Sequence, residues 1–219
     1  FTYCSIELKG DFTMGNRAVI TTKKAGFNPA NSDATGVYLH WNGGRDSVEA
    51  VLAYCKLKQF RSPENDNYGW ARLCQVIGNF FGGGLSIGIG PCCTLDCDNL
   101  DNGTYIIEDW EIVGRAYFEG REQNEYNLNE MLMDIDEAQP VRLQLGKDFF
   151  KAKEINTTSL EVGDVVYVYD QVRETHTKHK VVGVKDGVPF VDKFGDEKMG
   201  YAWNVNNFIN TDTVRLVEK

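Results

Sequence analysis

The chain has 219 residues with 42% apolar and 12% aromatic content, enough core for one large domain or two small ones. Its 32 acidic against 23 basic residues give a net charge of −9, which argues against direct nucleic-acid binding by the whole surface. No apolar run of about 18 residues occurs, so no membrane-spanning helix is expected.

Residues 1–13 read as a translated leader or an extension. Met14-Gly15-Asn16-Arg17 runs straight into the β-forming Ala18–Thr22, and Met14 has the look of a start. The opening ten residues lack the basic start and apolar centre of a secretory signal. Six cysteines are few for this length, and Cys55 and Cys74 fall on apolar helix faces. A reducing, cytoplasmic compartment with free thiols is expected.

Gly36–Trp41 is predicted as a second strand, followed by the tight turn Asn42-Gly43-Gly44. Val48, Val51, Leu52 and Cys55 then recur at helical spacing, with Asp46 and Glu49 placed as a capping box. A second helix is predicted over 68–81, with Trp70, Leu73, Cys74 and Ile77 on its apolar stripe. Leu85, Ile87 and Ile89 alternate with small residues as a strand. Asp101-Asn102-Gly103 signals a turn. Thr104–Ile107 and Trp110–Val113 read as a hairpin around Glu108-Asp109. A third helix is predicted over 128–138, capped by Asn127 with Glu130 and buried through Leu128, Met131, Leu132 and Ile135.

After Pro140 the pattern changes to short strands, at 165–169, 181–185, 188–192 and 213–217, with Asp186-Gly187 as a two-residue hairpin turn. The fold class expected is α+β: a small sheet with two to three packed helices over 14–140, then a small SH3-like barrel or open β-sheet over 148–219.

Candidate chemistry is sparse. His40 is the one weak candidate for a general base, and His40, Trp41 and Trp70 are candidates for lining a pocket. As neighbours on a strand, His40 and Trp41 are expected to point to opposite faces. The Gly43-Gly44 turn lacks either phosphate-binding glycine pattern, and Asp46 and Glu49 oppose an anion there. Cys92, Cys93 and Cys97 have no second pair or spaced histidines for zinc. Asp96–Gly103 resembles a calcium loop, but Leu100 occupies its fifth position and Ile107 its twelfth, so the register fails. No metal and no cofactor is expected.

The charge distribution is more informative. Asp96 to Glu137 holds 13 acidic residues against Arg115 and Arg121, so the remainder of the chain is slightly positive. Asp96, Asp98, Asp101, Glu119, Glu122, Glu125, Asp134, Asp136 and Glu137 are the candidate contacts to a basic partner. The alternative is nucleic-acid contact by the C-terminal part through Arg173, Lys178, Lys180 and Lys185, beside His176 and His179.

Four segments taken together, Met14–Ile20, Val37–Gly44, Tyr68–Arg72 and Tyr105–Trp110, resemble a family of small uncharacterised proteins encoded by phages and prophages of Gram-positive bacteria. That resemblance implies a phage accessory protein acting in the cytoplasm of the host cell. It carries no assigned activity or site. The function expected is a non-catalytic protein that binds a basic host protein or nucleoprotein complex, in its sharpest form an acidic, anti-CRISPR-like inhibitor of host defence.

Overall fold

The computed structural model describes residues 16–26, 28–64, 66–82, 86–170, 175–192 and 213–217. The leader expected over residues 1–13, and Arg173, lie outside these. The chain divides into two compact units, 1–49 with 85–124 and 50–84 with 125–219.

The fold is α+β. In the first unit, β1 (Ala18–Thr22), β2 (Thr35–Leu39), β3 (Ile87–Pro91), β4 (Thr104–Glu108) and β5 (Glu111–Ala116) form one mixed sheet in the order β3-β2-β1-β4-β5. Only the β1–β4 pair is parallel, with Ile20 opposite Tyr105. β1 is central and buried along its whole length, as expected of AVITT with no charge. Under one face, Val19, Ala25, Cys92 and Cys97 form a core cluster with Tyr38, Leu95 and Tyr117 packed against it. Cys92 and Cys97 are thus core residues, and both are free thiols. Burial pushes the Cys97 thiol up to about 11, so it is inert as a nucleophile at neutral pH.

Asp109 and Trp110 form the β4–β5 turn, both with positive φ (52° and 67°). Trp110 therefore belongs to the turn and not to the strand where the sequence pattern put it. It remains only 4% exposed.

Helix α1 (Arg45–Leu57) crosses from one unit to the other at Glu49 and Ala50. It begins one residue before Asp46, so Asp46 lies inside the first turn, where its carboxylate accepts the Ser47 N–H at 2.7 Å. Glu49 pairs with Arg45 at 3.1 Å, an i,i+4 contact.

In the second unit, α2 (Asn67–Phe81) is capped by Asp66, whose side chain accepts the Tyr68 N–H, and it ends at Gly82 in the left-handed region. α3 (Leu128–Ala138) has the expected Asn127 cap, accepting the Glu130 N–H at 3.2 Å. A short α4 (Lys147–Lys151) follows. β6 (Lys153–Asn156), β7 (Val165–Asp170), β8 (Thr175–Lys185), β9 (Val188–Val191) and β10 (Thr213–Leu216) then make an antiparallel sheet, ordered β6-β10-β7-β8-β9 and curled into a half-barrel. Its core is Leu160, Val166, Val181, Val191 and Val214. Asp186 and Gly187, with φ of 53° and 80°, make the predicted β8–β9 turn. No helix among the described residues is long and apolar enough to cross a membrane.

Candidate partner-binding site

The loop Asp96–Gly103 connects β3 to β4 and is held from within by one side chain. Asn99 is 1% exposed. Its amide nitrogen donates to the carbonyls of Asp96 (3.1 Å) and Gly103 (3.0 Å), and its oxygen accepts the N–H groups of Asp101 (3.2 Å) and Gly103 (3.0 Å). Asparagine does this because its amide has two donors and an acceptor that takes two bonds. On the flank, the Thr104 hydroxyl donates to the Cys97 carbonyl at 3.0 Å. From outside, the Arg17 guanidinium bonds Asp101 at 2.6 Å and reaches Asp96 at 3.6 Å. The Asp101 hydrogen bond is the main reason the guanidinium is held above its ordinary pKa.

At the tip of this braced loop stands Leu100. Its φ is 59°, a left-handed conformation that costs a non-glycine residue of order 1 kcal/mol. Its side chain is 88% exposed, more than any other large apolar side chain among the described residues. Asp96, Asp98 and Asp101 surround it in sequence, and Asp98 is exposed and unpaired among the described residues. The loop thus presents one apolar side chain among aspartates, and its own hydrogen bonds already meet the cost of ordering it.

The nine expected partner-contacting carboxylates do not share one character. Asp96, Asp98, Asp101, Glu119 and Glu122 belong to the first unit, and Glu125, Asp134, Asp136 and Glu137 to the second. Glu119 is exposed. Glu122 is a brace: it accepts two bonds from Arg115 (2.8 and 2.9 Å) and one contact from Arg45 (3.3 Å). That Arg115 guanidinium lies between the rings of Tyr105 (3.7 Å) and Phe118 (3.9 Å), a desolvated site that lowers its pKa. Glu125 is exposed, and Asp134 is exposed on α3 with its carboxyl raised by burial and by Glu130 and Glu137. Glu137 is exposed and pairs with Lys147 at 2.6 Å.

Asp136 is a correction. It is 3% exposed and offers nothing to a partner. Its carboxylate accepts the Tyr54 hydroxyl (2.7 Å) and the N–H groups of Leu145 (2.7 Å) and Gly146 (2.9 Å). It therefore ties α3 to α1 and to the segment entering α4.

Among the described residues of the first unit, eleven carboxylates stand against six basic side chains, and in the second fourteen stand against twelve. The acidic excess is thus concentrated in the unit that carries Leu100.

The expected pocket residues lie apart in role. β2 stops at Leu39, so strand alternation does not govern His40 and Trp41. Their rings contact each other edge to face at 4.8 Å, where opposite faces were expected. His40 Nδ1 is 3.1 Å from the Tyr38 hydroxyl, and Trp41 is 48% exposed. Trp70 is a buried α2 residue beside Leu73, Val76 and Ile77.

In the second unit, Lys178 and Lys180 share one side of β8. The Lys178 ammonium pairs with Asp148 at 3.2 Å, whereas at Lys180 it is the backbone N–H that donates to Asp192 (3.0 Å), which also contacts His179 at 3.2 Å. Lys185 is exposed beside the Asp186-Gly187 turn. His176 is half-buried against Phe149 and Tyr169, where desolvation, then Lys58 and Arg215, lower its pKa to about 4 and favour the neutral imidazole.

Sequence reasoning missed Asn99 and Leu100. The signal was present in the failed calcium register: an apolar residue at the tip of an otherwise polar Asp/Asn loop. No group of His, Cys, Asp and Glu among the described residues is placed to hold a metal ion. Compared with protein families, curated proteins and solved structures, the chain matches none.

Proposed function

We propose that the protein binds a basic protein surface through the Asp96–Gly103 loop and performs no chemistry of its own. The single observation that carries this reading is Leu100, fully displayed at positive φ on a loop pinned by a buried asparagine. Burying one leucine side chain in a partner's pocket is worth about 1.5–3 kcal/mol. The surrounding carboxylates add little to that affinity directly, but they steer a basic partner and reject acidic ones. Occlusion follows if the partner's basic face is where it holds nucleic acid, because carboxylates then stand where phosphates would. An accessory role in the cytoplasm of a bacterial host, and inhibition of host defence in particular, is the sharper form of this reading. It rests on the sequence resemblance to phage-encoded proteins.

The test is affinity capture from a Gram-positive host lysate at low and at high salt, with wild type, Leu100→Ser and the double variant Asp96→Asn/Asp98→Asn as baits. A specific partner should be recovered by wild type, lost with Leu100→Ser, and weakened by salt and by the double variant. A partner retained by all three baits at both salt concentrations removes the proposal.

A further inference from the structure

Among the described residues each sheet has two edge strands, and three of these four carry features that discourage pairing with another chain. β5 presents the exposed Glu111, β6 presents Lys153 and Glu154, and β9 has Pro189 within it. Charges and mid-strand proline are the usual means of blunting an edge. β3 has neither. Residues 86–94, Ser-Ile-Gly-Ile-Gly-Pro-Cys-Cys-Thr, carry no charge, and the only proline is the last residue of the strand.

The hydrogen-bond phase of β3 fixes which groups face outward. His40 N–H donates to the Ser86 carbonyl (3.0 Å), and Cys92 N–H donates to the Ala34 carbonyl (2.8 Å). With Tyr38 opposite Gly88 and Gly36 opposite Gly90, the even-numbered residues bond to β2. The N–H and C=O groups of Ile87 and Ile89 therefore point away from β2, and among the described residues β3 has no other neighbouring strand. Ile89 is 57% exposed, and Gly88 and Gly90 place no side chain in the way of an approaching backbone.

We propose that two copies of the chain pair through β3, antiparallel about a two-fold axis at Gly88. In that register Ile87 of one copy lies opposite Ile89 of the other, and each pair exchanges both its N–H and C=O groups. The isoleucines of both strands then gather on one face of a continuous ten-stranded sheet made from two five-stranded ones. The occupant is the chain's own strand because the edge is self-complementary and uncharged. Elsewhere a chain of net charge −9 repels its copy, and a partner read by charge would find nothing here to read.

The test is sedimentation of the full chain from about 1 μM to about 500 μM, since a short edge pairing is a weak interface. The baits for comparison are Ile89→Lys and, as a control on the opposite edge, Val113→Lys. Wild type and Val113→Lys should dimerise with increasing concentration. Ile89→Lys places two like charges across the axis and should raise the dissociation constant about a hundredfold. Amide exchange should show protection of Ile87 and Ile89 that grows with concentration. A monomer throughout the range overturns the proposal. So does a dimer that Ile89→Lys leaves intact, or protection of both amides that is independent of concentration, which would mean another segment of the same chain occupies the edge.

Discussion

Replacing Asn99 by alanine tests whether this one side chain holds the Asp96–Gly103 loop in place. The substitution removes four hydrogen bonds at once. Their partners do not suffer equally. The Gly103 carbonyl keeps the Val19 N–H at 2.9 Å, and the exposed Asp96 carbonyl turns to water. The Asp101 N–H, half-buried, loses about 1 kcal/mol net. The Gly103 N–H is buried and is left without a partner, which costs about 1–3 kcal/mol. The expected loss is therefore about 2–4 kcal/mol, read as a lower midpoint in urea denaturation with unchanged slope. Exchange of the amides of residues 96–103 should accelerate beyond the global change, because the loop loses its internal tie. Leu100→Ala should stay within about 0.5 kcal/mol of wild type, since its side chain touches little. An Asn99→Ala variant as stable as wild type, with unaltered loop exchange, would refute the account of how Leu100 is presented.

Three further outcomes follow from buried groups. Asp136→Asn keeps the shape but turns an amide N–H₂ toward donors, so about 2–4 kcal/mol of stability should vanish while any partner affinity of the folded protein is kept; calorimetry with binding measured below the transition checks this. His176, lowered from 6.5 to about 4 by burial, is neutral when folded and protonates first in the unfolded chain. Its contribution is therefore complete above about pH 6.5 and falls by about 2–3 kcal/mol as pH drops to about 4. His176→Leu should flatten the stability curve relative to wild type over that window, and parallel curves would contradict the assignment. Gly103→Ala should unfold the first unit: φ is +58°, and an added Cβ would lie 2.3 Å from the Tyr117 carbonyl oxygen, so soluble expression with a native spectrum would be unexpected.

Where local chemistry decides the structure, the sequence is legible. The Asn127 cap and the 3.6-residue spacing of Leu128, Leu132 and Ile135 mark α3 to the residue, and Asp186-Gly187 marks its hairpin. Where long-range contacts decide, it is not. Lys-Glu-Ile-Asn in β6 has no strand pattern of its own and is a strand because β10 pairs with it. Trp110 has high strand propensity yet sits in a turn, with both turn residues at positive φ. For the candidate site, the acidic character of 96–101 was visible, but Asp136 looked like its equal. One clue separated them: Asp136 falls four residues after Leu132, on the buried stripe of its helix.

Neither unit is a contiguous piece of chain. The first needs residues up to 49 together with 85–124, and the second takes 50–84 and everything after 124. A nascent chain cannot complete the first sheet until β4 and β5 have left the ribosome, because β1, made first, waits for β4 as its parallel neighbour. No single cut, by a protease or by an engineer shortening the gene, separates the two units whole. A protease that nicks the chain within 50–84 cuts it between the two sequence segments that build the unit bearing Leu100.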